Sequence, residues 1–189
     1  MTFEEYKSYF SDIIDKDQDK QVAPYDNPMY YDYTKLNWSR MKRWLKTGKL
    51  SSEVLEAVKK INTPQNWIII TEPWCGDASH NVPFMEMIAK ENPLISISYE
   101  LRDSEPNRIN EYLTNGGKSI PKLIIRDTEG FDLTTWGPRP EEAQVIYNNL
   151  MQNNASFDDV KIEMQNWYNE NKGNDLQKEF AELFLKLSN

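Results

Sequence analysis

The sequence predicts an α/β fold: three layers, α/β/α, around a central mixed sheet that ends in an antiparallel hairpin, with helical extensions before and after it. Three observations predict this. Between about residues 63 and 152, apolar runs rich in branched side chains alternate with segments of helical period, the pattern of a sheet fed by crossover helices. The run Trp67-Ile68-Ile69-Ile70-Thr71 is apolar without alternation, which suits a strand covered on both faces. Further on, Asp127-Thr128-Glu129-Gly130 offers a tight turn between two strands.

Thr2 and Glu5 are spaced as a capping box, and Phe3, Tyr6, Phe10, Ile13 and Ile14 fall on one face of the helix it opens. Pro24 and Pro28 interrupt that pattern, and Trp38, Met41, Trp44 and Leu45 resume it. Ser51 or Ser52 can cap a further helix carrying Val54, Leu55, Val58 and Ile61. The strand over 67–71 leads through Pro73-Trp74-Cys75-Gly76 into a helix reaching about Lys90. A second strand is expected over 94–100 and a short helix over 107–113, before the Gly116-Gly117 break. Strands over 121–126 and 131–136 make the hairpin, and a helix over 141–151 follows Gly137-Pro138. From Ser156, capped together with Asp159, the rest reads as amphipathic helix anchored by Trp167, Phe180, Leu183 and Phe184. The order implies a mostly parallel sheet finished by one antiparallel hairpin. It also divides the chain into an extension over 1–60, a core over 61–152 and an extension over 153–189 packed on the core.

A formal charge of -8 opposes general nucleic-acid binding, because phosphates demand a basic surface. Arg40, Lys42, Arg43, Lys46 and Lys49 are a local exception, read either as the solvated side of a helix or as a face for an anionic partner. No stretch approaches the roughly 18 apolar residues of a membrane helix, so no membrane partner is expected. The first residues lack the basic and apolar regions of a secretory signal, and one cysteine forms no internal bridge; both favour a cytoplasmic location. Nothing in the pattern indicates an oligomeric state.

Chemistry concentrates at Cys75, expected to be exposed at the start of a helix. A thiol in the first turn of a helix meets unpaired backbone N–H groups and the positive end of the helix dipole, which favour the thiolate. Asp77 opposes this unless its carboxylate turns to solvent. His80 lies about 140° around the helix from the thiol, so a Cys-His pair is not expected and His80 is read as solvent-exposed. One Cys and one His do not make a zinc site, and no Walker loop, dinucleotide fingerprint or serine elbow occurs, so neither metal nor cofactor is expected.

With these residues placed, the chain over about 60–150 resembles the thioredoxin superfamily. Trp74-Cys75-Gly76 fits the start of its active-site motif, Pro83 the proline within the following helix, and Tyr99-Glu100-Leu101-Arg102-Asp103 the strand that ends in an Asp. Ser119-Ile120-Pro121-Lys122 fits the cis-proline loop, and Gly130 and Gly137 the two glycines of the terminal hairpin and its exit. The resemblance implies a thioredoxin-like fold and a cis peptide before Pro121, close to the cysteine, with the Ile120 backbone free to pair with an extended peptide or thiol ligand. Pro121 as a plain strand-entry residue is the other reading.

The departures bear on function. Where dithiol members carry a second cysteine the chain has Ala78, so no internal thiol can resolve a mixed disulfide at Cys75. Asp77 replaces the usual proline, Ile69 stands where many thioredoxins bury an acid, and no lysine precedes Cys75 as in glutaredoxins. The reading is a possible thiol-disulfide oxidoreductase of the monothiol kind: Cys75 forms a mixed disulfide with a protein or low-molecular-weight thiol, resolved by an external thiol. Trp74, Gly76, Asp77, Ala78, Ile120 and Pro121 border the binding groove. The alternative is a redox-inactive binding or chaperone-like module using the same groove. Trp74 is expected at the rim, Trp38, Trp44 and Trp167 among the extra helices, and Trp67 and Trp136 in the core.

Overall fold

A computed structural model describes residues 1–187. Helices α1 (Phe3–Asp15), α2 (Pro28–Thr47) and α3 (Ser52–Val58) precede strand β1 (Gln65–Thr71), helix α4 (Gly76–Ala89) and strand β2 (Ile95–Leu101). Strands β3 (Lys122–Arg126) and β4 (Asp132–Trp136) follow, and then helices α5 (Glu141–Gln152), α6 (Phe157–Asn171) and α7 (Asn174–Leu187). Two short 3-10 turns, Gln18–Lys20 and Arg108–Glu111, sit in the connections. Among the described residues no helix is long and apolar enough to cross a membrane.

The sheet is four-stranded, in the order β2-β1-β3-β4. Only β1 and β2 pair parallel; β1–β3 and β3–β4 are antiparallel, which corrects the expectation of a mostly parallel sheet. The reason is that no long crossover helix separates β2 from β3. The chain between them makes the turn at Arg108–Glu111 and a Thr114–Gly117 bridge, and enters β3 at the end of the sheet where β2 finishes, so β3 runs back against β1. In β1 the side chains of Trp67, Ile68, Ile69 and Ile70 are all buried, so both sheet faces are covered by helices. Burying each such side chain contributes about 1.5–3 kcal/mol.

The caps act as the local sequence requires. The Thr2 hydroxyl accepts from the Glu5 amide while the Glu5 carboxylate accepts from the Thr2 amide, and the Ser51 and Ser156 hydroxyls accept at the starts of α3 and α6. The outer edge of β2 is met by Met1, which exchanges backbone bonds with Tyr99. The amphipathic helical stretch expected from Ser156 onward is divided into α6 and α7. Lys172 and Gly173 both have positive φ, and a Cβ on Gly173 would stand 2.5 Å from the Phe84 ring, so a tight turn against α4 separates α6 from α7.

Register places the site. Ile70 pairs with Lys122 across the antiparallel β1–β3 ladder, so the end of β1 and the start of β3 lie side by side. The loop carrying Cys75 leaves from the first, and Ile120–Pro121 enters the second.

Candidate functional site

Cys75 is the N-cap of α4, and its sulfur accepts from the Ala78 amide at 3.4 Å. The Sγ–H donates to the Ile120 carbonyl at 3.2 Å, across 45 residues of sequence, and the Ile120–Pro121 peptide is cis. The thiol therefore does face the proline loop. It is not exposed, however: Cys75 retains only 7% of its accessible surface, which corrects the expectation of an exposed helix-start sulfur. Burial, followed by the Asp77 carboxylate, pushes the thiol up to about 12 against the weaker pull of the Ala78 amide and Arg139.

Asp77 does not turn outward. Its carboxylate pairs with Arg139 at 2.8 Å and accepts from the Tyr168 hydroxyl at 2.8 Å, bringing the β4–α5 connection and α6 onto the start of α4. Arg139 also donates to Gln144 and lies 3.9 Å from the Tyr147 ring, while its Nε is buried without a partner among the described residues. The Tyr168 oxygen in turn accepts from Asn81 at 3.1 Å.

His80 is buried, contrary to the solvent-exposed reading. Its ring stacks on Tyr168 at 4.3 Å between centroids, Nδ1 accepts from the Trp44 indole at 2.8 Å, and Nε2 lies 3.3 Å from Gln165 Oε1. Burial first, then the charges of Arg40 and Arg43, lower it to about 3, so the ring is neutral. The helix face pointing away from the thiol meets α2 and α6 rather than water, an environment that residues 75–80 contain no sign of.

Together these helices roof a pocket of about 500 Å³. Trp74, Cys75, Gly76, Asp77 and Ile120 line it, whereas Ala78 and Pro121 sit behind the wall as buried support. Trp74 is half-buried at the rim, with the Arg102 guanidinium 4.5 Å from its ring and Tyr30 edge-on. Tyr33 of α2 leans so closely over the start of α4 that a Cβ on Gly76 would lie 2.7 Å from its hydroxyl. Sequence reasoning missed Tyr33, Arg139, Gln165 and Tyr168 as site residues. Arg40 was visible only as one of five clustered cations, four of which, Lys42, Arg43, Lys46 and Lys49, are indeed solvated. Among the described residues no group of three or more His, Cys, Asp or Glu side chains is placed to hold a metal ion.

Comparison with known proteins agrees with the fold. A family model described as thioredoxin matches residues 23–178, a span reaching past the resemblance over 60–150 to take in α2, α6 and the start of α7. A crystal structure of a protein of unknown function from Pseudomonas aeruginosa is 14% identical, with a TM-score of 0.58 over 90% of this chain and 89% of that one. An HIV epitope-scaffold is also 14% identical at a TM-score of 0.58, over 98% of this chain and 99% of that one. At such identity the likeness is one of fold. No curated protein matches the chain.

Proposed function

We propose that this protein, which belongs to the thioredoxin family, binds a ligand in the pocket over Cys75 and keeps the thiol protonated while it does so. One observation carries the reading: the Cys75 proton is engaged by the Ile120 carbonyl inside a buried site, with a carboxylate rather than a cation two residues on. With the thiol raised to about 12 by burial and the Asp77 carboxylate, the protonated form prevails at neutral pH. Ala78 leaves nothing within the chain to resolve a mixed disulfide. Trp74 and Ile120 then serve as walls of a binding site, held in place by the register of β1 against β3.

A second reading, monothiol exchange with a protein or small thiol and release by an external thiol, is favoured by the place of Cys75 in the pocket wall, where a disulfide-bearing ligand would meet it. Alkylation of the full-length protein by iodoacetamide, followed from neutral to alkaline pH, separates the two. The expected rate is negligible near neutrality and climbs only above about pH 10. A midpoint at or below about 8.5, the ordinary thiol value, would overturn the protonated-thiol reading and install the monothiol one.

A further inference from the structure

We infer that the pocket takes a small amphipathic anion, whose carboxylate or phosphate head pairs with Arg40 while its apolar body lies against Met29, Tyr30, Phe157 and Met164. This rests on the binding reading above and names its ligand class.

The chain is acidic, at -8, yet its pocket is not. Five cationic side chains line it, Arg40, Arg102, Lys118, Arg139 and Lys161, against the single carboxylate of Asp77. Three are already compensated: Arg139 by Asp77, Arg102 by Asp103 at 2.6 Å, and Lys161 by Asp158 at 2.7 Å. Lys118 is exposed at the mouth.

Arg40 is different. It keeps 9% of its surface, and no carboxylate among the described residues pairs with it. Its polar contact is Nη1 donating to Asn37 Oδ1 at 2.8 Å, and its guanidinium stands 5.1 Å from the Tyr33 ring. Asn37 is the one hydrogen-bond acceptor among the described residues that meets it, so the guanidinium that lines the cavity has donors open to an anion. The planar fork of N–H groups matches the two oxygens of a carboxylate or phosphate.

Its position is also built. Asn37 donates to the Pro73 carbonyl at 3.0 Å with the amide whose oxygen receives Arg40, which ties α2 to the loop that carries Cys75. In the same pocket α6 contributes Phe157, Val160 and Met164 as apolar wall, and α2 adds Met29 and Tyr30. A volume of about 500 Å³ lies in the range of small-molecule sites.

Calorimetric titration of the full-length protein with octanoate, octyl phosphate and 1-octanol tests this. The expected result is that the anions bind at least about tenfold more tightly than the neutral alcohol, and that added salt narrows the gap. Whichever of octanoate and octyl phosphate binds more tightly identifies the head group. Arg40→Gln is expected to erase the preference for anions while leaving octanol binding in place, and Lys42→Gln, on the exposed side of the same helix, to preserve it. Equal affinity for octanol and the anions in the unaltered protein, an anion preference surviving in folded Arg40→Gln, or no binding of any of the three would overturn the inference. Anion preference together with a Cys75 that alkylates readily at neutral pH would keep this inference and sink the protonated-thiol reading. An inert Cys75 with no anion preference would do the reverse.

Discussion

At the scale of single residues, the Trp44 indole can only donate, so its bond to His80 makes Nδ1 the acceptor and leaves the ring proton on Nε2, toward Gln165. Protonating Nδ1 would break that bond inside a site already facing Arg40 and Arg43, in keeping with the depression of the imidazole to about 3. The sign follows from proton binding: between about pH 6.5 and 3 the unfolded chain holds a proton on His80 that the folded chain refuses. Stability therefore rises with pH through that window and falls on acidification. Glu72, buried and raised to about 7, acts the other way between 4.5 and 7, because there the unfolded chain is the one that has lost its proton. Comparing His80→Phe with the unaltered protein isolates the histidine. Urea unfolding at a series of pH values is expected to show the variant lacking a dependence of about 1.4 kcal/mol per pH unit below pH 6.5. Parallel stability curves for the two proteins would show that His80 is protonated in the folded state after all.

Among elements, the β3–β4 hairpin and the Ile120–Pro121 loop are locked by one glycine. Gly137 has φ +110, and a Cβ there would stand 2.2 Å from the Pro121 carbonyl oxygen, so alanine is excluded both by conformation and by space. The same turn is tied to β3 by Lys122 Nζ, which donates to the Gly137 carbonyl at 2.9 Å and to Thr114 at 2.8 Å. Gly137→Ala is expected to cost at least about 2 kcal/mol and to move the Ile120 carbonyl off the sulfur. Thermal unfolding reads the first effect and Cys75 alkylation the second, which should speed up. A variant with unchanged melting and an unchanged alkylation profile would mean the loop is not braced there. Gly137 was placed by the family resemblance, as the glycine at the exit of the hairpin. That its backbone presses on Pro121 was not legible in the sequence, because the approach depends on how β4 lies against β3, with Leu123 opposite Trp136.

For the molecule as a whole, the added helices belong to the structure around the sheet. Phe180 of α7 packs edge-on against Trp67 of β1 and Trp136 of β4, at 6.1 and 5.3 Å between centroids. Gln177 one turn earlier accepts from the Ser51 amide and donates to the Lys49 carbonyl, joining the C-terminal segment to the N-terminal one. Phe180→Ala is expected to lower stability by about 3–5 kcal/mol, the usual cost of emptying a buried aromatic site, measured as a shift in the urea midpoint. A loss under about 1 kcal/mol would show that α7 rests on the sheet without supporting it.

The amino-acid order alone establishes what neighbours in sequence can settle. Caps, helical and strand periods, the hairpin turn and the seat of Cys75 at a helix start arise from residues within a few positions of one another, and those elements stand where the pattern puts them. The chemical state of the site is decided elsewhere. The sulfur is sealed by Ile120, Asp77 is held by Tyr168 and His80 faces Gln165, partners 45, 91 and 85 residues apart, while Arg40 is placed by a loop 36 residues beyond Asn37. Desolvation and counter-charge are properties of assembled surroundings, so the burial of this thiol and the pairing of Asp77 with Arg139 and Tyr168 came about only when the Ile120 loop, the β4–α5 connection and α6 met the start of α4.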